Sequence, residues 1–124
     1  MPRSIVCDAG GVLVVAGELD GASPGDAEVL ALDWTALTVG RFLGARHEGN
    51  QSLVRVELGI ALEAVHEWFP VRTLVADTLA RAGLGAVDAL DSWSALLLAE
   101  QLELPLFTAC DEVTSTRVEV HRPW

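Results

Sequence analysis

Ile5, Val6 and Cys7 form an unbroken apolar run closed by Asp8, the one charge between Ser4 and Val15. A run that is apolar on both faces predicts a buried strand of the kind found in the centre of parallel sheets. The residues after it, Ala9–Glu18, predict a turn that starts a helix or loop. Asp20–Asp26, dense in Gly, Ser, Pro and Asp, predicts a loop. Ser23 with Pro24 has the pattern of an N-cap followed by proline at the first helical position. Trp34, Leu37, Phe42 and Leu43 recur at roughly helical spacing over Asp33–His47, and Glu48–Ser52 breaks that pattern. Ser52–Phe69 then predicts a long amphipathic helical segment, with Leu53, Val56, Ile60, Val65 and Trp68 alternating with Arg55, Glu57, Glu63 and Glu67 until Pro70 stops it.

Val71–Val75 predicts a short strand, and the following stretch a short helix ended by Gly83. Asp88–Leu104 carries the strongest helical pattern, with acids in its first turn and apolar residues beyond. Pro105–Cys110 predicts a second buried strand, and Arg117–His121 a last one of alternating character. Strands alternating with helices predict an α/β fold, a three-layer α/β/α sandwich around a mainly parallel central sheet. The length of 124 residues suits one domain over residues 1–124.

Apolar residues make up 51% of the chain, which excludes a disordered protein. No apolar run approaches the roughly 18–20 residues a membrane helix needs, and no signal-peptide pattern opens the chain. A cytoplasmic protein that does not contact membrane is the expectation. Cys7 and Cys110 belong to no Cys/His cluster, which predicts buried reduced thiols and no zinc. His47, His66 and His121 lack partners at ligand spacing and predict structural roles. The net charge of −10 argues against a protein that coats nucleic acid, and suits a basic partner.

The candidate chemistry is carboxylate chemistry. Functional crevices in parallel sheets lie beyond the carboxyl ends of the strands. Asp8 sits at that end of the first strand and Asp111 just past that end of Pro105–Cys110. The helix bearing Asp88 and Asp91 starts at the same edge if it runs antiparallel into that strand. Carboxylates gathered there repel unless a cation or protons neutralise them, which points to Mg²⁺ or Mn²⁺. Simpler roles exist for each: Asp8 as a helix cap, Asp88 and Asp91 as partners of a helix dipole, Asp111 as a turn acid.

Two family resemblances attach to these residues. IVCDAGGVLV resembles the first motif of haloacid-dehalogenase-like phosphatases, where the aspartate is the nucleophile. That family has a second aspartate where Gly10 stands and a downstream lysine, and this chain has no lysine. IVCDAGGVLVV together with GLGAVDAL, ALLLAEQLELPLFTACDEV and the closing RVEVHRPW resembles PIN domains, in particular the bacterial toxin–antitoxin ribonucleases of the VapC type. The resemblance implies a Mg²⁺- or Mn²⁺-dependent endoribonuclease, a hydrolase with an RNA substrate, an antitoxin-like protein partner and a homodimer. It implies Asp8, Asp88 (or Asp91) and Asp111 as the catalytic acids, with Asp8, Asp88 and Asp111 on the metal.

The PIN pattern has four acids. The first maps onto Asp8. The second falls near Thr38. The third maps onto Asp88 in one register and onto Ser92 in another, one helical turn apart. The fourth falls on Cys110, with Asp111 one position late. Two functions are therefore expected: a working ribonuclease with a shifted acid set, in which Thr38 or Ser92 holds water, or a non-catalytic PIN-like protein that binds a partner through apolar helices such as Leu53–Phe69.

Overall fold

Alternate residues of the strands feed two separate cores. The computed structural model, which describes residues 3–83 and 89–124, places Ile5 and Cys7 of β1 (Ser4–Cys7) on one side of a sheet and Val6 on the other. β2 (Glu28–Leu32) divides the same way, Val29 and Ala31 from Leu30 and Leu32. This is the two-residue period of a strand buried on both faces. With β3 (Glu67–Phe69), β4 (Leu106–Phe107) and β5 (Val120–His121) these form an all-parallel five-stranded sheet in the order β3-β2-β1-β4-β5.

Helices cover both faces. On the first lie α1 (Ala9–Val15), α2 (Thr35–Arg46) and α3 (Gln51–Glu63), which bury Val12, Val39, Leu43 and Ala61 against it. On the second lie α4 (Val75–Ala82) and α5 (Leu90–Leu102), where Ala95, Leu96 and Ala99 pack under Leu74. The predicted three-layer α/β/α sandwich is the observed fold. Among the described residues, no helix is long and apolar enough to cross a membrane.

Three segments depart from the sequence expectation. Ser23 and Pro24 start no helix: they lie in a loop between Gly21 and Gly25, both at positive φ, and β2 follows. The β2 run is rich in Leu and Ala, which favour helices, and its burial beside β1 overrides that preference. The amphipathic segment ends as a helix at Glu63, and Glu67–Phe69 becomes an edge strand after the His66 Nδ1 accepts the Val29 N–H at 2.9 Å. Val71–Val75 forms a 3-10 turn (Arg72–Leu74) leading into α4 instead of a strand, with Leu74 the buried residue of that turn. Gly83 ends α4 at φ 77°, a conformation only glycine adopts without strain.

The first face is packed closely where α1 crosses β4. A Cβ at position 11 would overlap the Phe107 carbonyl oxygen. Gly11→Ala should therefore destabilise the protein by about 1–3 kcal/mol in chemical denaturation, outweighing the roughly 1 kcal/mol that alanine gains in helix propensity. An unchanged or raised midpoint would show that α1 stands further from β4.

Candidate functional site

The strand order reverses direction between β1 and β4, and in sheets of this kind the crevice opens at that point, beyond the strands' carboxyl ends. Asp8 leaves β1 there and caps α1: its backbone is extended, and its Oδ1 accepts the Gly11 N–H at 2.8 Å. Its Oδ2 accepts the Ser92 hydroxyl at 2.6 Å and the Thr108 hydroxyl. The Ala109 N–H also favours its ionised form. A carboxylate offers about four lone-pair positions, so these donors use the whole of Asp8.

Asp91, in the first turn of α5, holds the other donor of α1's start. Its Oδ2 accepts the Ala9 N–H at 2.7 Å, and its Oδ1 accepts the Thr35 hydroxyl at 2.7 Å. Ser94 fixes this turn, donating to the Asp91 carbonyl at 2.8 Å while accepting the Trp34 indole N–H at 2.9 Å. Five elements thus meet on two carboxylates: β1, α1, α2, α5 and the residue after β4. α5 starts at the carboxyl edge, as its antiparallel run predicts.

Both acids are buried, Asp8 at 2% exposure and Asp91 at 9%. Burial raises the Asp8 carboxyl above its ordinary value, opposed by its hydrogen bonds. Burial, then the Asp8 charge, pushes Asp91 up to about 6, opposed by Thr35 and Ala9. Burial, with Asp8 beside it, also pushes the Cys7 thiol well up, so it stays a neutral core residue.

Asp111 is exposed past β4. Asp88 lies outside the described residues. Cys110 is half-buried and donates its backbone N–H to the Thr108 hydroxyl oxygen at 2.9 Å. Thr38 is exposed and lines, with Trp34, Leu37, Arg41, Leu90 and Asp91, a cleft of about 510 Å³ beside the pair. Ser92, not Asp91, is the α5 residue that faces Asp8. The sequence reading missed Thr35 and Thr108 as members of the network. Thr35 follows the short turn after β2 and Thr108 directly follows β4, and a threonine at either place is a weak signal, since hydroxyls there also cap turns.

Among the described residues, no group of three or more His, Cys, Asp and Glu side chains is placed to hold a metal ion. The described donor set does not fit a divalent cation, because N–H and O–H groups already point at both Asp8 oxygens and at both Asp91 oxygens. No family model matches the sequence, and no curated protein matches it.

The raised acids set the sign of the pH dependence. The native state holds protons that the unfolded state has released, so Asp91 costs stability as pH rises from about 4 to 6, and Asp8 acts in the same direction. For Asp91 alone, a rise from 3.8 to about 6 amounts to about 3 kcal/mol at most, lost above pH 6. Asp91→Asn can keep both hydrogen bonds without the charge, since the Thr35 hydroxyl can turn to accept. Urea denaturation of Asp91→Asn should show a smaller loss of stability between pH 4 and 7 than wild type, and Asp91→Ala a loss at every pH.

Proposed function

We propose that this chain is a non-catalytic PIN-like protein, in which the acidic centre has become a structural node and the function is binding another protein. One observation carries the reading: the Ser92 hydroxyl occupies the position facing Asp8 and donates to it at 2.6 Å. In the Ser92 register of the PIN resemblance, this is the place of the third acid. Cys110 stands at the fourth place and Thr38 at the second. A hydroxyl, a thiol and a hydroxyl in place of carboxylates remove the charge that would hold Mg²⁺ or Mn²⁺ and stabilise a phosphodiester transition state. The all-parallel sheet and the position of Asp8 at the end of β1 support the PIN-like part of the reading. Apolar side chains left exposed on α3 support the binding part.

Calorimetric titration with Mn²⁺ tests it. Wild type and Asp8→Asn should give the same trace, and neither should cleave RNA. A site with an affinity of about 10 µM would add about 2.7 kcal/mol of stability at about 1 mM Mn²⁺. An Asp8-dependent gain of that kind, with Asp8-dependent RNA cleavage, would instead support the metal-dependent endoribonuclease.

A further inference from the structure

The cleft beside the Asp8–Asp91 pair is not used by the structural node. Its volume of about 510 Å³ is that of a small-molecule site. One face of α2 supplies most of its wall. Val39 and Leu43 turn to the core, while Trp34, Leu37 and Phe42 turn to the cleft, where Leu90 of α5 joins them. Leu37 is 78% exposed, a large apolar side chain left in water. The Trp34 ring is held in place, because its indole N–H is already given to Ser94.

Three polar residues interrupt this apolar wall: Asp91, Thr38 and Arg41. Asp8 spends its acceptor positions on its own neighbours, and Asp91 does not. Asp91 accepts from Ala9 and Thr35, one donor at each oxygen, which leaves about two of its four positions open. Both donors are neutral, so its buried charge has no counter-ion among them. A divalent metal would need several more oxygen ligands around it. An ammonium group brings its own N–H donors and needs only Asp91 and the Thr38 hydroxyl to accept them. The net charge of −10 favours its approach.

Arg41 is the opposite charge of the cleft. It is exposed and makes no ion pair among the described residues. It follows Thr35, the residue bonded to Asp91, by six positions, roughly 9 Å of helix rise. Long helical side chains lean back toward the N-terminus, which shortens that gap. An anion without a counter-ion, an unpaired cation and a fixed aromatic ring in one cleft complement a molecule with opposite charges at the two ends of an apolar body.

We propose that the cleft between α2 and the start of α5 binds a small zwitterion, with an ammonium group at Asp91, a carboxylate at Arg41 and a flat apolar body against Trp34. The site goes beyond the protein-binding reading and depends on neither the PIN-like fold nor the partner of that reading.

NMR titration of the ¹⁵N-labelled protein with para-(aminomethyl)benzoate tests it, because that probe carries its two charges at opposite ends of one ring. Benzylamine and benzoate each keep one charge. The zwitterion should shift the Trp34 indole N–H and the Thr38 and Asp91 amides, with a Kd of about 1 mM or tighter. Each single-charge probe should bind about tenfold more weakly, the loss expected for one charge-assisted contact. Asp91→Asn keeps its two hydrogen bonds and should reduce the affinity for the zwitterion to that of benzoate. Arg41→Gln, at an exposed position, should reduce it to that of benzylamine. A general loosening of the fold would not give this crossed pattern. The proposal is overturned by an absence of cleft shifts at about 10 mM zwitterion, by a single-charge probe that binds as tightly, or by an affinity that either substitution leaves unchanged.

Discussion

Two backbone N–H groups at the start of α1 need acceptors in a place water does not reach, and each takes a different carboxylate. Gly11 N–H goes to Asp8 and Ala9 N–H to Asp91. A helix start leaves such donors without partners, and burying them unpaired would cost more than either hydrogen bond gains. From these bonds the rest of the carboxyl edge follows. Asp8 reaches on to α5 and β4 through Ser92 and Thr108, and Asp91 to α2 through Thr35. The small residues Gly10 and Gly11 let α1 sit close enough for this, since a Cβ at Gly10 would come within 2.7 Å of the Ala109 Cβ.

The same fold treats a third buried acid differently. Glu100 of α5 is gripped by the Arg81 guanidinium at 2.8 and 3.2 Å and by the Ser115 hydroxyl at 2.7 Å. Arg81 first, with Ser115 and Arg117 in support, holds its carboxyl below the ordinary value. Glu100 therefore adds stability that is kept above the unfolded carboxyl range and lost in acid, opposite in sign to the Asp8–Asp91 pair. A cation neutralises one acid, while neutral donors hold the other two. The pair at the sheet edge carries an electrostatic cost that Glu100 does not.

The layer architecture was legible because burial on both faces leaves unbroken apolar runs at Ile5–Cys7 and around Leu106–Phe107. Asp8 stood out for the same reason, as a lone charge closing such a run. β2 was not legible, because Leu and Ala carry no strand signal and its pairing with β1 is non-local. The outward turn of Val56 and Ile60 was hidden too, since helical periodicity locates an apolar stripe but not which side of the helix meets the core. The company of Asp8 depended on one residue of register. The sequence offered Asp88, Asp91 and Ser92, and only the turn of α5 selects Ser92 for Asp8 and sends Asp91 to Ala9 and Thr35.

If the acids form a structural node, their protons report on it directly. Carboxyl ¹³C NMR of Asp8 and Asp91, followed from about pH 3 to about pH 8 with and without millimolar Mg²⁺, is the most direct measurement. A structural node requires that Asp91 titrate at about 6, with Asp8 also above the ordinary aspartate range and neither curve moved by Mg²⁺. Ordinary titration of both groups, or a Mg²⁺-dependent fall in their midpoints, would contradict it.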